Sequence, residues 1–194
     1  KLKGMIAMLE PGAIFVGDAN AFAPALAAIA SLHDAAVVAG APAEGVIGYD
    51  ELATTPVTAA VGEAFDRLTS DTVAKLLFTS GSTGTPKAVI NTQRMLTASQ
   101  AAKGHVWPFL ATTDLVLLDW LPWSHTFGAN HNFNMALCNG GSLYIDGGKP
   151  VPHLFATSLA NLRSVRPTVY FNVPRGFDML IGALRSDAGL REKF

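Results

Sequence analysis

Short apolar runs alternate along this chain with stretches where apolar residues recur every three or four positions, and the two periods predict strands and helices in turn. "AIFVGDA" (Ala13–Ala19) is a short apolar run ending in a turn, and "AAVVAGA" (Ala35–Ala41) repeats it, the pattern of buried strands. Between them Asn20 is placed to cap a helix on which Phe22, Leu26, Ile29, Ala30 and His33 share one side. Residues 49–64 predict a short helix and a connector, with a break at Pro56. "TVAKLLFT" (Thr72–Thr79) and "AVIN" (Ala88–Asn91) predict strands flanking a polar loop, and Thr92 then caps a helix that carries Met95, Leu96, Ser99, Ala102 and Val106 to near Pro108. "DLVLLDWLP" (Asp114–Pro122), "GSLYI" (Gly141–Ile145) and "TVYFNV" (Thr168–Val173) predict three more strands. His153–Val165 predicts an amphipathic helix, and Pro174 suits the first turn of the last one.

Strands alternating with helices of this length predict an α/β layered fold with a largely parallel sheet. The patterning is weakest over Pro56–Ser70, the expected seam between a partial first α/β subdomain at residues 1–60 and a second at residues 71–194. The chain starts at Lys1 without an initiator methionine and stops at "LRSDAGLREKF" without a capping signal, which leads us to expect a fragment.

Composition narrows the class. With 49% apolar and 15% charged residues in 194, the chain can bury a core and is not a disordered tail. Its 14 Lys and Arg are dispersed, which argues against nucleic acid as a partner, and no apolar run is long enough to suggest a membrane span. The single cysteine, Cys138, cannot form an internal disulfide; it suits a reducing cytoplasm and reads as a small buried hydrophobe.

The chemistry concentrates in "TSGSTGTPK", residues 79–87. Backbone N–H groups around a glycine-rich turn converge on an anion, and Gly81 and Gly84 let phosphate oxygens approach closely. Thr79, Ser80, Ser82, Thr83 and Thr85 add hydroxyl donors, Lys87 adds a point charge suited to a polyphosphate, and Pro86 stiffens the exit. A Walker A loop would need Gly-Lys-Ser/Thr opening a helix, whereas here Thr85-Pro86 precede Lys87 and a strand follows. Neither a Gly-x-Gly-x-x-Gly fingerprint nor a Gly-x-Ser-x-Gly elbow is present.

These nine residues resemble the phosphate-binding signature of the acyl-adenylate-forming (AMP-binding) enzymes, the superfamily of acyl-CoA synthetases, adenylation domains and luciferases. "LPWSHTFG" (Leu121–Gly128) resembles the family's next signature, one helix and one strand further on. "AVINTQRML", "NHNF", "NGGSLYIDGGKP" and "YFNVPRGFDML" are most similar to feruloyl-CoA synthases, which activate hydroxycinnamates. The resemblance implies part of the large N-terminal domain of an ATP-dependent acid–CoA ligase. By the same resemblance ATP, Mg²⁺ and CoA would serve the full-length enzyme, and it would act in the catabolism of aromatic compounds.

It also implies roles for particular residues. Thr79, Ser80, Gly81, Ser82, Thr83, Gly84 and Lys87 would bind the ATP phosphates, and the segment 121–133 would wall the acyl pocket. A histidine at the place of His125 sits, in the family, by the substrate carboxylate and the entrance for the pantetheine thiol. We therefore expect His125 to orient the acid, with Trp123, Phe127 and His131 lining the pocket, although Trp123 and Phe127 equally suit core packing and His131 a turn. Two histidines six apart without Cys or paired carboxylates suggest no metal site. His33, His105 and His153 read as helix decoration, Asp146 and Lys149 as turn residues, and Asp18, Asp114 and Asp119 carry no assigned acid–base role.

The family's Tyr-Gly-x-Thr-Glu motif, its ribose-binding Thr-Gly-Asp and its mobile C-terminal lysine are not found, so the C-terminal domain is expected to be absent and the isolated fragment inactive. No catalytic residue is assigned. Exposed apolar surface is expected to favour self-association. Two other readings stand beside this one: a stand-alone nucleotide- or phosphate-binding module without catalysis, and an adenylate-forming ligase for another carboxylic acid.

Overall fold

A computed structural model of the chain describes residues 1–79 and 86–193. The chain separates into two compact units, one comprising Lys1–Leu68 and Thr79–Lys87 and the other comprising Thr69–Phe78 and the chain from Ala88 onward.

In the first unit α1 (Leu2–Leu9) precedes β1 (Ala13–Asp18), α2 (Ala23–Ile29), β2 (Ala36–Ala41), β3 (Ile47–Gly48), α3 (Tyr49–Ala53) and α4 (Ala59–Asp66). The three strands form one sheet in sequence order with parallel neighbours, Ile14 standing opposite Val37 and Phe15 opposite Val38. Val38 and Ala39 are buried with Ile6, Ala19 and Ile29, so the apolar run of β2 is the spine of this unit.

The start of α2 differs from expectation. Asp18 Oδ1 accepts the N–H groups of Asn20 and Ala21 at 2.8 and 3.0 Å, an Asx turn that occupies the place where Asn20 would cap. The helix begins only at Ala23 and its regular part stops at Ile29; a 3-10 turn follows and His33 is already extended. Pro56 falls between two helices, α3 and α4, and neither of them buries a residue.

In the second unit, to which they belong except for Thr79 and Lys87, β4 (Val73–Thr79) and β5 (Lys87–Thr92) are hydrogen-bonded neighbours. Next come α5 (Gln93–Val106), β6 (Val116–Asp119), a π-helical turn at Phe127–Phe133, α6 (Asn134–Cys138), β7 (Ser142–Ile145), α7 (Phe155–Val165), α8 (Pro174–Ser186) and α9 (Ala188–Arg191). Thr92 caps α5 as its sequence predicts, its Oγ1 accepting the Met95 N–H at 3.3 Å.

β6 and β7 pair in parallel, and successive residues of β6 supply opposite faces. Leu117 joins Leu110, Leu115, Met135 and Ala136 on one side, while Leu118 joins Phe155, Leu162, Leu180 and Leu190 on the other. A strand covered on both faces is why Val116–Leu118 reads as an unbroken apolar run.

Three expectations change in this unit. Thr168–Val173 carries no strand. Thr168 meets β6 through its N–H on the Val116 carbonyl (3.0 Å) and its Oγ1 on the Val116 N–H (2.9 Å). Beyond it the Asn172 amide takes over, Oδ1 accepting the N–H groups of Val173 and of the Trp120 indole.

Cys138 is exposed rather than buried. α6 is five residues long, and Met135 and Ala136 take its core face while Leu137 stays 71% exposed. Asp146 is no ordinary turn residue. It is buried, its Oδ1 accepting the Gly148 N–H (2.7 Å) and the Asn161 Nδ2–H (2.8 Å) and its Oδ2 accepting the Ser158 hydroxyl (2.6 Å), so it fastens the end of β7 to α7.

Candidate functional site

The chain leaves β6 through a sharp turn. Asp119 Oδ1 accepts the Leu121 N–H at 3.0 Å, and the Pro122 carbonyl accepts the His125 N–H at 3.0 Å. Gly128 has no room for a side chain, because a Cβ there would lie 2.6 Å from the Pro122 carbonyl oxygen and 2.7 Å from that of Leu121. The π-helical turn that follows is a rare backbone form found often at functional sites. The whole segment stands beyond the carboxyl end of a parallel strand, where open α/β sheets bind ligands.

His125 is exposed and its Nδ1 accepts the Phe127 N–H at 3.2 Å. In the neutral ring the proton is therefore on Nε2, a donor suited to a carboxylate oxygen. His131 has the opposite arrangement. Its Nδ1 is 2.8 Å from Asn132 Oδ1, an atom that can only accept, so Nδ1 carries the proton and Nε2 is left as an acceptor. Burial holds the His131 imidazole below its ordinary pKa, helped by the charge of Lys103 and opposed by Asn132 and Asp119.

Three rings surround His131. His131 stands edge-on to Trp107, Phe127 and Phe171, with centroids 6.1, 5.4 and 4.7 Å away, and Trp107 stacks on Phe171 at 6.0 Å. Trp107 and Phe171 also pack against the Leu117 cluster, which makes the group the rim of a core. Trp123 is separate from it, half exposed and tilted on Phe133 at 4.8 Å. Of the pocket residues named from sequence, Phe127 and His131 meet; His125 reaches them through the Phe127 N–H, and Trp123 does not join.

Among the phosphate-loop residues, Thr79 closes β4 and Lys87 opens β5, both exposed. Ser80, Gly81, Ser82, Thr83 and Gly84 lie outside the described residues. Among the described residues no three His, Cys, Asp or Glu side chains gather as metal ligands.

Sequence patterning missed the polar groups beneath the aromatic rim. Asp119 is 5% exposed and its Oδ2 has no partner among the described residues; Asn132 is 2% exposed. Burial pushes the Asp119 carboxyl above the usual carboxylate range, against the Leu121 N–H and the Asn132 side chain, which pull it down. Burial also pushes the Tyr170 hydroxyl up to about 12, and Asn172 Nδ2 donates to its oxygen at 2.8 Å. On α5, burial lowers the pKa of Lys103 while the nearby Cys138 raises it. Asp119 at the end of an apolar strand was the one signal in the sequence, and nothing there said that it is buried.

A raised native pKa means that the folded state holds the Asp119 proton more tightly than the unfolded chain. Stability should therefore fall as pH rises from the unfolded value near ~4 through the higher native value. Asp119→Asn removes that loss. The variant is expected to gain on the wild type in urea unfolding at pH 7 and to lose the advantage below pH 4. A difference independent of pH would show that the Asp119 carboxyl is not the source.

The family model "AMP-binding enzyme" matches residues 1–193. The chain is 31% identical over 124 residues to a carboxylic acid reductase of Mycobacterium marinum, covering 64% of this chain and 10% of that protein. It is 33% identical over 108 residues to a long-chain-fatty-acid–CoA ligase of Xenopus laevis, covering 54% and 14%. Among solved structures, ATP-bound MatB from Rhodopseudomonas palustris superposes with a TM-score of 0.70 at 28% identity, over 92% of this chain and 33% of MatB. The chain thus spans between a tenth and a third of the length of these proteins.

Proposed function

The chain belongs to the AMP-binding enzyme family, and from that premise we propose that it forms part of an ATP-dependent acid–CoA ligase acting on an aromatic acid of the hydroxycinnamate type. In the first step a carboxylate oxygen attacks the α-phosphorus of ATP and pyrophosphate leaves; in the second the CoA thiol displaces AMP from the acyl-adenylate. Residues 79–87 hold the phosphates, Lys87 neutralising negative charge that builds up during transfer. The exposed Nε2–H of His125 donates to the acid's carboxylate and orients it, while Phe127 and His131 wall the acyl group. Mg²⁺ would screen the polyphosphate.

The observation that carries the aromatic assignment is the ring cluster of Trp107, Phe127, His131 and Phe171 beyond β6, whose edges and faces complement a planar acid better than a flexible alkyl chain. None of the described helices is long and apolar enough to cross a membrane. The lone cysteine fits the cytoplasm, where ATP and CoA are supplied.

Substrate exchange tests the assignment. The full reading frame that encodes this chain, given ATP, Mg²⁺ and CoA, is expected to turn over ferulate or coumarate with a kcat/KM at least about tenfold above that for palmitate or malonate. Preference for palmitate would favour the second reading, a ligase for another carboxylic acid.

A further inference from the structure

One residue of the segment proposed as the acyl wall makes more side-chain-mediated hydrogen bonds than its neighbours. Asn130 lies in the middle of the π-helical turn, between Phe127 and His131. Its side-chain Nδ2 donates to Asn91 Oδ1 of β5 at 2.8 Å and to Thr126 Oγ1 at 3.1 Å. Its backbone carbonyl accepts from Gln100 Nε2 at 2.9 Å and from Lys103 Nζ at 3.5 Å, both on α5. Gln100 is itself buried. A single residue thus joins β5, α5 and Thr126 to the turn that carries Phe127 and His131.

The same side chain carries a cost. Its Oδ1 is buried with no hydrogen-bond partner among the described residues, a penalty that an apolar residue of similar volume would avoid. Local rules are broken in this way where geometry matters more than stability. A π-turn adds to this need, since it is an uncommon backbone form and Asn130 supplies partners to it from two other elements.

We propose that Asn130 is a positioning residue, which fixes the 125–131 segment against β5 and α5 and so sets where His125, Phe127 and His131 stand. It touches no reacting atom. The idea rests on reading that segment as the acyl wall, and its consequence is selective: loosening Asn130 should harm the grip on the acid more than the grip on ATP. β5 begins at Lys87, but only its far end, at Asn91, takes part in the contact.

The test has two arms, with Asn130→Asp, Asn130→Ala and Asn91→Ala. Asn130→Asp is nearly isosteric and removes the Nδ2 donors. Asn91→Ala removes one partner from outside the segment and protects the test against a variant that fails to fold. In the first arm, histidine ring resonances are recorded on the full chain, which has five histidines. Those of His125 and His131 are expected to shift in every variant, while those of His33 and His153 stay in place. In the second arm, steady-state kinetics are measured on the full reading frame. KM for the acid is expected to rise roughly tenfold, the scale of one lost buried hydrogen bond, with KM for ATP within about twofold. The double variant Asn91→Ala/Asn130→Ala should be no worse than Asn130→Ala alone, because both remove the same link.

Unmoved His125 and His131 resonances would overturn the proposal, as would KM values for acid and ATP that rise together. A wild type that turns over no acid would defeat the ligase reading instead, and the resonance arm would still decide the role of Asn130.

Discussion

Lys87→Ala is expected to lower acid-dependent turnover by roughly a hundredfold to a thousandfold, the scale seen when one preorganised electrostatic group is removed from a transition state. In the proposed adenylation the triphosphate carries several negative charges, and a carboxylate must approach its α-phosphorus. A cation beside the polyphosphate is worth most at that moment. Lys87 is the one lysine of the loop, and it opens β5 with its side chain exposed. An exposed lysine contributes little to the fold, so the variant should unfold at the same temperature as the wild type. Lys87→Arg keeps the charge but replaces a point charge by a planar fork, and is expected to recover only part of the rate. A Lys87→Ala variant with normal turnover would remove the phosphate role from the loop.

The second large effect concerns stability. Asp146→Ala is expected to cost about 3 kcal/mol or more, because it strands the Gly148 N–H, the Ser158 hydroxyl and the Asn161 amide in a buried place. For a chain of this length that is a fall of roughly 10 °C in the unfolding midpoint, read by circular dichroism. Asp146→Asn keeps an acceptor and should fall in between. A midpoint within a degree or two of the wild type for Asp146→Ala would show that α7 does not depend on this staple.

Asp146 also shows where sequence reading stops. In "YIDGGKP" it has the neighbours of any turn residue, and only Ser158 and Asn161, twelve and fifteen positions later, give it a different task. Contacts of that kind leave no local period. What did leave one was the apolar run itself: β1, β2, β6 and β7 all fall within the predicted strands, although among the described residues only β6 packs a core cluster on both faces, and α5 starts at the predicted Thr92 cap.

The strand expected at Thr168–Val173 failed for the opposite reason. "TVYFNV" has the composition of a strand, yet Val169 and Phe171 pack against the Leu117 cluster and Tyr170 against the Leu118 cluster, without a ladder. Alternation is a property of side chains facing two cores, and a strand is one of several ways to achieve it.

The candidate site was legible in the same uneven way. The two signatures single out residues 79–87 and the His125 segment as candidates because such residue types answer a chemical need, glycines for close approach and a lysine for charge. Nothing in the spacing of His125 and His131 indicated that their imidazoles would hold opposite tautomers, since that follows from the Phe127 N–H and the Asn132 amide oxygen. Trp107 and Phe171, contributed by the end of α5 and the stretch before α8, complete a ring cluster that is scattered over 65 positions from 107 to 171. Aromatic residues so far apart look like ordinary core until the fold brings them together.

The measurement that bears most directly on the central claim is acid-dependent exchange of labelled pyrophosphate into ATP by the full reading frame that encodes this chain. Exchange requires reversible formation of an acyl-adenylate and needs no CoA. Exchange is expected to depend on ferulate and to disappear in Lys87→Ala. A purified, folded protein that binds ATP yet supports no exchange with ferulate, palmitate or malonate would contradict that claim, and would leave a phosphate-binding module in its place.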